Sequence, residues 1–352
     1  MHDDPAVYRT IADRLPESDR LCLSFKFTRG DFRAGQAFNA CVLADNRPKW
    51  IEFQCEREFE GKGAFPNFQA PLWQEFLQQV GAGTDATSLP PNLSLWGWSR
   101  GGGWGGPYVQ REEWLDANVY ALARLHENRG VEVQEIATDW AEMTFSIAQS
   151  SPPAPAIAEL LRISPTAIRK LVYCSALKDE SIAPWLRDDL LDVDAVWASA
   201  FRCMELGRAE EACQEKAEAL RLADRIRQLW ELASPELPNK SQARDLTGSL
   251  LCFDSFSGAV AHLFSGLVRF AQWTRGGSAD AGLAKQAAEH LEHARDAWQN
   301  HTQRHALLPG APSMFNENTF WERTNECLES LQASGQWSPP IRKAPQLKLT
   351  AE

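Results

Sequence analysis

Three short runs in the first hundred residues alternate apolar and polar side chains: LCLSFKF (21–27), KWIEFQCE (49–56) and NLSLWGW (92–98). A period of two marks a strand with one covered face. In the first run Leu21, Leu23, Phe25 and Phe27 share a face, with Cys22, Ser24 and Lys26 on the other. In the second, Ile51, Phe53 and Cys55 oppose Glu52, Gln54 and Glu56, and in the third Leu93 and Leu95 oppose Ser94, Trp96 and Trp98. An amphipathic helix, PLWQEFLQQV (71–80), separates the second and third runs, and REEWLDANVYALARL (111–125) follows the third. Strand-then-helix order predicts βα units and a parallel sheet. A parallel strand covered on both sides is apolar throughout. These strands instead carry Lys, Glu, Gln and Trp on one face, as expected where a barrel interior becomes a polar site toward the strand C-termini. An antiparallel sheet with one wet face has the same alternation; the barrel is the preferred reading.

A complete (β/α)8 barrel takes ~250 residues and starts with a strand. Here a helix comes first, with Asp3 or Asp4 as its cap, Pro5 in its first turn, and Val7, Ile11 and Leu15 at helical spacing. Only three strands follow, so the expectation is the C-terminal part of a barrel.

From residue 131 the texture is helical: VEVQEIATDWAEMTF, AIAELLRISPTAIRKLVYCSAL, EEACQEKAEALRLADRIRQLWELA, SGAVAHLFSGLVRFAQWT, ADAGLAKQAAEHLEHARDAWQNHT and NTFWERTNECLESLQ all carry helical apolar stripes. SSPPAPA (150–156), ASPELPNK (233–240) and LLPGAPS (307–313) read as breaks between helices. No fixed repeat period links these helices, which argues against a solenoid. The fold expected is α/β followed by all-α: part of a barrel over 1–130, an irregular helical domain over 131–335, and a tail over 336–352.

The net charge of −11 and pI near 5.3 argue against a nucleic-acid binder, which needs a basic stripe to displace counterions. No uninterrupted apolar run approaches the ~18 residues that cross a bilayer, so no membrane partner is expected. MHDDPAVYRT lacks the plan of a signal peptide, and the expected location is the cytoplasm. Eight cysteines (22, 41, 55, 174, 203, 213, 252 and 327) contain no CxxC, which predicts free buried thiols in a reducing compartment. No cofactor is expected. Fourteen tryptophans against four tyrosines supply flat apolar faces, useful for a core and for sugar rings alike.

The strand ends gather the candidate chemistry. FKFTRGDF places Lys26, Arg29 and Asp31 together; EFQCEREFEGKG places Glu52, Glu56, Glu58 and Glu60; WGWSRGGGWGGP places Trp96, Trp98, Arg100 and Trp104. Hydrolysing a glycosidic bond takes carboxylates that activate water and protonate the leaving oxygen. Aromatic platforms seat the ring, and fixed cations hold an acidic sugar.

These motifs resemble the α-glucuronidases of glycoside hydrolase family 67, on FKFTRGDF, on IEFQCEREFEGKG followed by PLWQEFL, and on WLDANVYALARL leading to IATDWAEMTF, over roughly 20–147. The resemblance implies a barrel followed by a helical domain, and release of glucuronic-type acids, with inversion, from oligomers of plant or algal polysaccharide such as xylan. It implies Asp31 and Glu58 as the carboxylates holding the attacking water, with Glu56 the alternative to Glu58 in a slipped register. It implies Lys26 on the uronate carboxylate. Arg29, Arg100, Trp98 and Trp104 are the further substrate-binding candidates. The family's general acid sits on an earlier strand and has no counterpart here, so this chain is expected to be incomplete and inactive alone. SRGGGWGGP also differs from the corresponding loop of the xylan-specific enzymes. The partner expected is an acidic oligosaccharide, with a homodimer through the helical domain open to it. The rival reading is a non-catalytic helical interaction or carbohydrate-binding protein.

Other signals carry less. SRGGGWGGP lacks the lysine and serine of a phosphate loop. His290, His293, His301 and His305 have chelating spacing on a helix, but no HExxH order, and no metal is assigned. Glu210, Glu211, Glu215 and Glu218 read as a solvated helix face.

Overall fold

The three alternating runs pair as one sheet, in the order β1 (Leu23–Lys26), β2 (Lys49–Gln54), β3 (Leu93–Trp98), and both pairs are parallel. The antiparallel alternative is thereby excluded. The computed structural model describes residues 3–16, 18, 20–29, 32–33, 36–57, 60–61, 63–82, 89–99, 112–148, 151–177, 193–306 and 317–336. Among these the sheet has three strands and forms no closed barrel; they are mostly helical with a small parallel sheet, compatible with α/β followed by all-α.

The apolar strand face is the covered one. Phe25, Phe27, Ile51 and Phe53 are buried, and Phe27 stacks on Phe53 at 5.1 Å. Helix α2 (Ala70–Val80) closes over them with Trp73, 5.2 Å edge-on to Phe53, and Phe76. Helix α1 (Pro5–Ala12) is capped by Asp4, whose carboxylate accepts from the Ala6 and Val7 amides. Its buried face is Tyr8 and Ala12, while Val7 and Ile11 are exposed, contrary to the stripe expected from spacing. The helix is only eight residues long, and Tyr8 sets its rotation: the ring meets Phe25 edge-on at 5.2 Å and the hydroxyl donates to Asp45 at 2.8 Å.

After β3 come α3 (Glu113–Glu127), α4 (Val133–Phe145), α5 (Pro153–Val172), α6 (Val193–Glu205), α7 (Ala209–Ala233), α8 (Lys240–Arg275), α9 (Ala281–Ala306) and α10 (Glu317–Ala333). Helix α6 falls between the runs that periodicity marks. SSPPAPA breaks the chain only in its first half, because Pro153 starts α5 at a position where a missing N–H costs nothing. Pro165 lies inside α5, and Ser164 repairs the damage. The Leu161 carbonyl, which Pro165 cannot serve, accepts the Ser164 hydroxyl at 2.8 Å. The Ser164 hydroxyl oxygen in turn accepts from the Phe68 amide at 3.0 Å, tying α5 to the sheet layer.

Helix α8 is long and apolar enough to cross a membrane by length and composition, although polar residues interrupt its apolar stretches. Its apolar window is 78% buried inside the protein, as for a central core helix. Phe65 stacks on Phe256 of α8 at 5.5 Å, and Trp114 of α3 donates to Ser249 at 3.0 Å. The core is therefore continuous across residue 130. Glu215 departs from its expected solvated role: it is buried and accepts from the Ser175 amide at 2.9 Å and from buried Lys216 at 3.2 Å. One stripe of α7 faces α5, and Glu215 falls on it.

Candidate functional site

Parallel register sets the open face of the sheet. Ser24 pairs with Trp50 and Trp50 with Ser94; Lys26 pairs with Glu52 and Glu52 with Trp96; Gln54 pairs with Trp98. Register partners point the same way. The face opposite the phenylalanines therefore carries Ser24, Lys26, Trp50, Glu52, Gln54, Ser94, Trp96 and Trp98.

Glu52 is at its centre. One carboxylate oxygen accepts the Ser24 hydroxyl at 2.6 Å, and the other accepts the Trp98 indole N–H at 3.4 Å. Trp96 donates its indole N–H to Ser24 at 3.1 Å. The two indoles lie 4.8 Å apart and tilted by 50°, with Trp98 44% exposed and Trp50 51% exposed. Apolar rings of this size are normally covered, and the same chain buries Trp73, Trp140, Trp230 and Trp298 fully. Exposed indoles around a hydrogen-bonded carboxylate, with an ammonium one strand away, suit a ligand with both a flat apolar face and hydroxyl groups.

The loop after β2 is fixed by a buried polar network. Arg57 adopts a left-handed backbone conformation (φ 59°) and its guanidinium grips Glu60 with two hydrogen bonds, at 3.0 and 2.5 Å. Asn67 donates to Glu60 at 3.2 Å, and Asn118 of α3 donates to the Cys55 carbonyl at 2.9 Å. The Tyr173 hydroxyl completes the set by donating to Glu60; burial, and then the Glu60 charge, hold its pKa well above the ordinary phenol value. Glu60 is thus a structural anchor.

Of the residues picked from sequence, Lys26 and Trp98 share the open face with Glu52, and the Lys26 ammonium lies 4.9 Å over the Phe32 ring. Arg29 is exposed and faces Asp3 at 4.0 Å. Glu56 is buried, in contrast to a water-facing strand-end carboxylate. Asp31, Glu58, Arg100 and Trp104 lie outside the described residues. Trp50 and the central placement of Glu52 were not singled out. Both follow from the alternation of KWIEFQCE once the register is known.

No family model matches the chain, and no curated protein does. Among solved structures it is similar to a GH138 enzyme targeting pectin rhamnogalacturonan II, with a TM-score of 0.48 and 9% identity over 93% of this chain and 57% of that one. The chain thus spans little more than half the length of that protein. Its family number differs from the one the motifs resemble.

Proposed function

We propose that the open sheet face binds an acidic saccharide and belongs to a glycoside hydrolase-like protein that releases glucuronic-type residues. The observation that carries this reading is the Trp96–Trp98 pair around Glu52, on the face that also bears Lys26. The indoles supply a platform for the sugar ring, Glu52 and Ser24 supply hydrogen-bonding groups for hydroxyls, and Lys26 supplies the charge for a uronate. In this reading Asp31 and Glu58, carried over from the family-67 resemblance, polarise the attacking water.

A second reading, binding without turnover, is favoured by the state of the described carboxylates. Glu52 already accepts from Ser24 and Trp98, and Glu56 is buried. Calorimetric titration with a uronate-bearing xylo-oligosaccharide and its neutral counterpart, together with an assay for released uronic acid by a form of the protein extended to include the strand that supplies the general acid, separates the two. Tighter binding of the acidic ligand, with the preference lost in Lys26→Ala, is expected. Release of uronic acid that falls at least 100-fold in both Asp31→Asn and Glu58→Gln supports hydrolysis. Binding without release supports the second reading. Absence of binding to either ligand would remove both.

A further inference from the structure

Three clusters stand outside the saccharide face: the histidines between α8 and α9, the Asp45–Lys49–Tyr8 network under the sheet, and the thiols where α5 ends against α6. The last carries the argument furthest. Cys174 follows the α5 cap residue Tyr173, Cys203 lies in α6, and their sulfurs are 3.5 Å apart although 29 residues separate them in sequence. We propose that Cys174 and Cys203 form an oxidation site that closes to a disulfide with a peroxide as oxidant, joining the end of α5 to α6.

The two thiols are not equivalent. The Cys203 S–H toward Cys174 and the nearby Lys216 ammonium lower the Cys174 pKa against the effect of burial, whereas Cys203 is pushed up, first by that same hydrogen bond and then by burial. Lys216 cannot drift away. Its ammonium donates to the Lys170 carbonyl at 2.6 Å and to the Tyr173 carbonyl, and sits 5.1 Å over the Phe264 ring. Burial drives Cys22, Cys41, Cys55, Cys213 and Cys327 the other way. Access is graded in the same sense: Cys174 is 6% exposed and Cys203 fully buried, so a small oxidant meets Cys174 first.

The chemistry balances with hydrogen peroxide. The Cys174 thiolate attacks one peroxide oxygen, an S–O bond forms, the O–O bond breaks, and hydroxide leaves to take up a proton as water. Cys203, losing its proton, then attacks the Cys174 sulfur; the S–S bond forms and the sulfenic oxygen leaves as a second water. Two thiols are oxidised by two electrons and one peroxide is reduced to two waters.

The test is a non-reducing peptide map of the native protein after brief treatment with hydrogen peroxide. A peptide joining residues 174 and 203, lighter by two hydrogens and split by a thiol reductant, is expected, with a rise in Tm of about 5 °C from closing the intervening loop. In Cys203→Ser, Cys174 should stop at the sulfenic acid and be trapped by dimedone. Sulfinic acid at Cys174 of the wild-type protein with no joined peptide would overturn the proposal. So would a joined Cys174–Cys213 peptide in its place, or no reaction at either sulfur. Because the decisive map uses the wild-type protein, it stands even if the variant fails to fold.

Discussion

Tyr173, one residue past α5, donates its hydroxyl to Glu60, 113 residues earlier on the loop after β2. Both groups are buried, and Glu60 also holds Arg57 and Asn67. Tyr173→Phe removes one donor from a buried carboxylate. The expected loss is about 1–3 kcal/mol, read as a lower urea midpoint with an unchanged slope. An unchanged midpoint would mean that Arg57 and Asn67 satisfy Glu60 without the tyrosine.

Trp98 should separate stability from recognition. Its indole is 44% exposed and contributes little to the core, so Trp98→Ala is expected to change stability by less than about 0.5 kcal/mol. Saccharide affinity should fall by about tenfold or more. A variant that melts early while retaining affinity would assign Trp98 to packing.

Gly266 of α8 lets α9 approach closely. A Cβ there would lie 2.8 Å from Cγ of Leu291 and 3.2 Å from its backbone nitrogen. Gly266→Val should therefore separate the two helices and cost about 1–3 kcal/mol, measurable by thermal melting. Gly248, on the same helix with open space at its Cβ position, is the control; Gly248→Ala should stabilise slightly.

Acid should loosen the seam between α8 and α9. Nδ1 of His262 faces Nδ1 of His290 at 3.0 Å, and the His293 ring centroid lies 5.1 Å from that of His262. Burial, and then the two neighbouring imidazoles, lower the His262 pKa from 6.5 to about 4. Burial and Arg269 lower that of His290, with Glu289 opposing, while Arg269 is itself paired to Glu210 of α7 at 2.7 Å. The unfolded chain takes up these protons first. The contribution is thus complete above pH 6.5 and is lost as pH falls from 6.5 toward 4. A urea midpoint lower at pH 5 than at pH 7, with the difference reduced in His262→Gln, is the expected outcome. A midpoint that rises on acidification would contradict it.

The sheet was largely legible because period-two alternation encodes both a strand and its covered face. Phe25, Phe27, Ile51 and Phe53 are buried as the pattern requires. Register was not legible, since the partner of Glu52 depends on loops of irregular length; hence Trp50 and the Ser24–Glu52 contact were missed. Charge runs misled for a related reason. Glu215 and Lys216 look like solvated-helix residues until α5 packs over α7 and makes them partners for the Ser175 amide and the Tyr173 carbonyl. His262 belongs to no local motif, and only the packing of two long helices brings it to His290.

The Ala64 carbonyl, near the end of the loop after β2, accepts the Ser249 hydroxyl of α8, 185 residues later. Phe65 rests on Phe253 and Phe256 of the same helix. On a ribosome adding roughly 5–20 residues per second, that loop waits about 10–40 s for its partner to be made. Throughout that interval the nascent chain carries Phe65 without its partners. A chaperone that binds exposed aromatic residues has its longest opportunity there, and synonymous codons between positions 65 and 249 set how long it lasts.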